Sequence, residues 1–230
     1  TAQHVADDLS GKIEMILDGG SVDIGVESTI LDLTVNPPMI LRPGAITKEM
    51  LEEVAGEISV DETLISENST KAPKAPGMKY RHYAPKADLI IVEGEPDESI
   101  KAIKQIAYEQ VRLGYKVGII ATNESIDQYT TGMIKSIGSR ENEKTVARNL
   151  YKVLREFDEE EVSYIYSEAF PEAGIGTAVM NRLGKAAGHH VLQASDITRL
   201  QKYRRIVFVS NSDNCRAPIA AALLRRQPLL

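Results

Sequence analysis

A single cysteine, Cys215, stands in 230 residues. That excludes an intramolecular disulfide framework and fits a reducing, cytoplasmic setting. Long apolar runs are missing as well. The longest, such as "VGIIA", stop far short of the ~20 residues that a membrane-spanning helix needs, so no membrane partner is expected. The opening "TAQHVADDLS" carries neither a basic n-region nor an apolar h-region, which argues against a secretory signal. It also has no initiator Met and begins inside what reads as a helix, so the chain is expected to be a processed or truncated piece of something longer. Positive charge is short too. A net charge of −6 argues against broad, stable binding to nucleic acid, leaving room for local basic patches. What is present is the composition of a globular protein, 43% hydrophobic and 26% charged, with enough chain for one large domain or two ordinary ones.

The pattern along the chain is α/β throughout. In residues 1–57, "AQHVADDLSG" reads as a helix closed by Gly11, and "KIEMILDGG" as a strand entering a Gly-Gly turn. "GVESTILDLT" and "MILRPG" read as two more strands. Thr47 is placed to cap the helix "KEMLEEVAG", with Gly56 as its stop. Three strands in so short a stretch bury little core alone, so this is expected to be the rear part of a larger α/β domain. Residues 58–85 show no amphipathic period and read as one long connection.

Residues 86–200 alternate strand and helix, which predicts a parallel, Rossmann-like sheet covered by helices. One helix should bury Ile100, Ile103, Ala107 and Val111; the next should bury Val146, Leu150, Leu154 and Phe157. Residues 203–230 start a further strand–loop–helix unit.

Several short stretches carry candidate chemistry. "GVESTILDL" sets Ser28 where its hydroxyl serves either local hydrogen bonding or a small polar ligand. Arg42, at a strand end before Pro43-Gly44, suits either a surface salt bridge or fork-like binding of phosphate or carboxylate. "PGMKYRHYAP" brackets Lys79, Arg81, His82 and Tyr83 with prolines, a composition better suited to gripping an anion than to spacing domains apart. Gly174 and Gly176 stand before a helix but lack the third glycine and acidic partner of a dinucleotide turn, so a helix start is expected. His189-His190 has no Cys or carboxylate at ligand spacing, so it reads as a solvated loop and no metal site is assigned. "VSNSDNCRAP" places Ser210 and Arg216 around a strand-to-helix loop that can hold an oxyanion.

In order, "TAQHVADDLSGKIEMILDGG", "GVESTILDL", "LRPGAIT", "PGMKYRHYAP" and "GIGTAVMNRLGKAA" resemble the two-domain threonylcarbamoyl-AMP synthase family over about residues 1–200. The resemblance implies a YrdC-like α/β catalytic domain, a linker laid over its site, and a Rossmann-like C-terminal domain. It implies formation of L-threonylcarbamoyladenylate and pyrophosphate from L-threonine, bicarbonate and ATP, usually with Mg²⁺. The product feeds proteins that make threonylcarbamoyl-adenosine in tRNA. By position, the resemblance gives Ser28 to L-threonine and Arg42 and Tyr83 to ATP or the adenylate, with Lys79, Arg81 and His82 as lid contacts. Arg42, Tyr83 and Ser28 are therefore expected to share one cleft.

The family's Lys-x-Arg and Ser-x-x-Asn motifs precede Thr1, so this chain is expected to be inactive alone. The alternative is a non-catalytic module that binds a nucleotide or a partner. The C-terminal piece resembles the opening of a low-molecular-weight phosphatase in which Ser210 stands at the nucleophilic cysteine. A serine hydroxyl without a base supports anion binding there, not turnover.

Overall fold

The computed structural model describes residues 1–65, 74–75 and 84–200. Thr1 caps helix α1 (Ala2–Leu9), its hydroxyl accepting from the His4 amide at 3.4 Å. No strand follows over "KIEMILDGG". Its only ladder contact is one bridge between Ser10 and Ile13, because among the described residues no neighbour offers it a continuous set of backbone partners. The turn is present, however: the Asp18 carboxylate accepts from the Gly20 amide at 2.9 Å.

The second expected strand is shorter than its β-branched content suggested. Only β1 (Ile30–Asp32) pairs, antiparallel to β2 (Met39–Arg42), with a register irregularity between Ile30 and Leu31. Ahead of it, Gly25 is docked elsewhere. A Cβ there would meet the main-chain oxygens of Arg148 and Ala147 at 2.5 and 2.6 Å.

After β2, Thr47 caps α2 (Lys48–Ala55) through the Met50 amide, and Gly56 ends it at φ 77°, a conformation glycine adopts at little cost. The chain then returns as β3 (Ser59–Val60), parallel to β2, and enters the short α3 (Glu62–Ile65). The start of the expected long connection is thus structured, giving a three-stranded sheet in the order β1-β2-β3. The sequence hid β3 because two residues show no period. Neither α1 nor α2 buries a residue, while Met15, Leu17 and Val54 are 74, 87 and 90% exposed. This segment forgoes the ~1.5–3 kcal/mol that each full burial would contribute, as its small share of core predicted.

The second unit is the parallel sheet. Its strands are β4 (Asp88–Glu93), β5 (Val117–Ala121), β6 (Met133–Ser136), β7 (Tyr164–Glu168) and β8 (Val191–Gln193), all paired in parallel in the order β6-β5-β7-β4-β8. Helices α4 (Pro96–Arg112), α5 (Glu143–Glu159), α6 (Ile175–Ala186) and α7 (Ala194–Leu200) cover it. α5 packs on α6, and α4 on α7, giving one apolar core on each face of the sheet. Burial on both faces explains the continuous apolar runs of β4 and β5. β6 and β8 were not legible in the sequence, being short and half-buried strands at the two edges.

In α5 the expected stripe of Val146, Leu150, Leu154 and Phe157 is buried. In α4, Ile100, Ile103 and Ala107 are buried, but Val111 is 40% exposed. Val111 is the penultimate residue of α4, and Ile106 and Gln110 are buried on that helix instead. Gly118, in the middle of β5, admits the Phe157 ring: a Cβ there would lie 2.7 Å from ring carbons.

Candidate functional site

Ser28 and Arg42, far apart in sequence, meet where β1 and β2 pair. The Arg42 Nε donates to the Ser28 carbonyl at 2.9 Å, and its Nη2 to the Ser28 hydroxyl at 3.2 Å. The turn after Arg42 makes this possible. Gly44 lies so close to residues 27–29 that a Cβ would stand 2.6 Å from the Ser28 carbonyl carbon, and nearer still to the Glu27 oxygen and Thr29 nitrogen. The Thr29 hydroxyl then donates to the Ile46 carbonyl at 2.6 Å, closing the two segments on each other. The strand-end arginine and the Pro-Gly turn thus form one device, a guanidinium held edge-on against an exposed hydroxyl.

On the other side of Ser28, its neighbour Glu27 is bound by the second unit. Glu27 Oε2 accepts from Arg182 Nε at 2.7 Å and from the Tyr151 hydroxyl at 3.1 Å. Arg182 is only 4% exposed. Burial works to raise the Glu27 carboxyl, but the Arg182 charge and the hydrogen bonds outweigh it and hold the carboxyl below its ordinary value. One turn along α6, burial and then the Arg182 charge push the Lys185 ammonium down to about 8; Arg42 adds to this and Glu27 partly opposes it. Arg42, Arg182 and Lys185 therefore act electrostatically on one region in which Glu27 is the carboxylate.

Beside it, a cleft of about 460 Å³ separates the first sheet from α6 and β8, lined among others by Ile40, Val60, Thr177, Asn181 and His189. Its size suits a small ligand. Ser28 and Arg42 are not among its lining residues, so their contact and this cleft are neighbouring features rather than one.

A second polar cluster lies at the carboxyl ends of the parallel strands. Buried Glu168 accepts from the Ser125 hydroxyl, from Tyr129 at 3.0 Å and from Arg140 at 2.6 Å. Burial, followed by the Glu168 charge, pushes the Tyr129 hydroxyl far up. The Arg140 amide and the Ser139 hydroxyl hold Glu124 down at about 2. These groups tie together the loops after β5, β6 and β7.

Of the residues singled out from sequence, Ser28 and Arg42 are brought together. Tyr83, Lys79, Arg81, His82, Ser210 and Arg216 lie outside the described residues. Gly174 is the N-cap of α6, as the helix-start reading expected. Glu27, Gly44, Tyr151, Arg182 and Lys185 were missed. The available signal was Arg182 itself, a charge inside the apolar pattern of "GIGTAVMNRL".

Comparison with known proteins matches the chain in two parts, meeting between β2 and α2. A family model described as "Threonylcarbamoyl-AMP synthase, C-terminal domain" matches residues 46–188. One described as "Telomere recombination" matches residues 1–44. The chain is 47% identical over 192 residues to a threonylcarbamoyl-AMP synthase of Bacillus subtilis (strain 168), covering 84% of this chain and 54% of that protein. It is 44% identical over 193 residues to the protein of the same name from Pyrococcus abyssi, covering 84% and 55%. A crystal structure of P. abyssi Sua5 complexed with L-threonine superposes with a TM-score of 0.76 at 43% identity, covering 84% of this chain and 54% of that one. The chain spans about half the length of the curated relatives it matches.

Proposed function

The chain belongs to the family of the threonylcarbamoyl-AMP synthase C-terminal domain, and from that premise we propose that it serves in a nucleotidyltransferase forming L-threonylcarbamoyladenylate. The substrates are L-threonine, bicarbonate and ATP. The threonine amine adds to bicarbonate carbon and water leaves, giving a carbamate. A carbamate oxygen then attacks the α-phosphorus of ATP, and the bond to the bridging oxygen breaks to release pyrophosphate. The adenylate passes to proteins that modify tRNA. This chemistry needs positioning and neutralisation of phosphate charge rather than a protein nucleophile.

The observation that carries the reading is the contact of Ser28 with Arg42. Ser28 is assigned to the polar groups of L-threonine, consistent with the threonine complex of the similar P. abyssi protein. Arg42 is assigned to the nucleotide, where its charge offsets that building on the phosphates. Tyr83 is assigned to the same nucleotide, with Lys79, Arg81 and His82 as further contacts from the linker. Among the described residues no group of three or more His, Cys, Asp or Glu is placed to hold a metal. Mg²⁺ would enter with the nucleotide, bound to its phosphates.

The alternative of a non-catalytic binding module finds one point of support. β5 leads to β6 on one side and β7 to β8 on the other, and ligands of open parallel sheets favour such divergence points. At that point, however, Glu168 is already met by three donors, which favours a structural role for the cluster.

The test is pyrophosphate release by the protein expressed from its complete reading frame, with adenylate identified by mass spectrometry. Release that requires both L-threonine and bicarbonate is expected. Release indifferent to L-threonine overturns the reading.

A further inference from the structure

The segment carrying Ser28 is held by the second unit at three consecutive residues. Gly25 lies against the main-chain oxygens of Ala147 and Arg148 on α5. Val26 is buried in the core formed by α5 and α6. Glu27 is bound by Arg182 from α6 at 2.7 Å and by Tyr151 from α5 at 3.1 Å. From its own unit the segment is held at Ser28 by Arg42 and at Thr29 by Ile46, while ladder pairing of β1 starts only at Ile30.

We propose that Arg182 and Tyr151 are positioning residues for L-threonine, acting through Glu27 to set the place of the Ser28 hydroxyl. The inference rests on the assignment of Ser28 to L-threonine. Three physical points support it. Arg182 presents a rigid, planar donor group, so it fixes direction as well as distance. At 4% exposure Arg182 itself is shielded from competing water, while Glu27 keeps 26%. Ser28 follows Glu27 directly, so a displaced Glu27 side chain shifts the backbone whose carbonyl and hydroxyl receive Arg42. The Rossmann-like unit is then a wall of the substrate site, and the two units are coupled through one carboxylate.

The test uses the protein from its complete reading frame and two readouts. Arg182→Ala is expected to raise the KM for L-threonine at least about tenfold, since misplacement of about 1 Å costs a comparable or larger factor. The KM for ATP should change by less than about threefold. Arg182→Lys, which keeps a cation beside Glu27, should recover part of the loss. Tyr151→Phe removes one hydroxyl and keeps the ring, so it reports in the same direction even if Arg182→Ala fails to fold. Amide hydrogen exchange over residues 25–32 should quicken in each impaired variant.

Unchanged exchange in Arg182→Ala and Tyr151→Phe overturns the positioning claim, whatever the substrate. Quickened exchange with an unchanged KM for L-threonine overturns the link from the held segment to the substrate. Wild-type protein with no threonine-dependent turnover would instead sink the functional reading, and the exchange data would still report whether α5 and α6 hold the segment.

Discussion

Arg42 reaches back fourteen positions to Ser28 and grips it twice, at the carbonyl through Nε and at the hydroxyl through Nη2. Two parallel donors fix the guanidinium plane, so the charge is aimed as well as present.

Arg42→Ala is therefore expected to weaken transition-state binding by roughly 2–4 kcal/mol, seen as a large drop in threonine-dependent pyrophosphate release. Arg42→Lys should recover little, because an ammonium cannot make both bonds in one plane. Near wild-type kcat/KM in the alanine variant would remove Arg42 from the nucleotide site.

Gly44→Ala tests the turn that makes the grip possible. The added methyl carbon would stand 2.6 Å from the Ser28 carbonyl carbon, and its nearest neighbours are all backbone of residues 27–29, with no flexible side chain to yield. A loss of roughly 1–3 kcal/mol in stability is expected, together with a higher KM for L-threonine. Chemical denaturation measures the first and steady-state kinetics the second. A variant as stable as wild type would mean that the turn relaxes freely.

In the second unit, Gly118→Ala should cost roughly 1–3 kcal/mol by overpacking, since its Cβ would lie 2.7 Å from the Phe157 ring. Phe157→Leu removes that ring and costs stability by itself. In the double variant the Gly118→Ala penalty should shrink, giving a coupling measurable by a double-mutant cycle. Additive losses would show that the ring is not what the glycine accommodates.

Lys185 predicts a pH dependence of stability. Its folded value is pushed down to about 8 from an ordinary 10.5, by burial first, then by Arg182 and Arg42 against the partial opposition of Glu27. Between those values the unfolded chain holds the proton and the folded chain has released it, so this group makes stability rise with pH. Below about pH 8 both states are protonated and the cost of charging Lys185 in the fold is fully present. Relative to Lys185→Met, wild type should therefore gain stability from pH 8 to pH 10. Parallel melting curves of the two proteins would contradict the prediction.

The sequence by itself determined the parts governed by local rules. The Val146, Leu150, Leu154 and Phe157 stripe declared α5, because a helix repeats its inner face every three to four residues. Thr47 and Gly56 marked both ends of α2 through capping chemistry that reads only a few neighbours. Continuous apolar runs declared the buried parallel strands. Ser28 and Arg42 were legible as candidates, though not as partners.

What remained depended on contacts between distant segments, which no local pattern records. "KIEMILDGG" has the composition of a strand and is none, because among the described residues it finds no ladder partner. β3, β6 and β8 exist because longer strands lie beside them. Glu27 was one letter in a strand-like run until α6 brought Arg182 to 2.7 Å from it. Only the tertiary structure could join them, since the packing that buries Arg182 on α6 also sets it against the half-buried Glu27, which supplies the charge it needs.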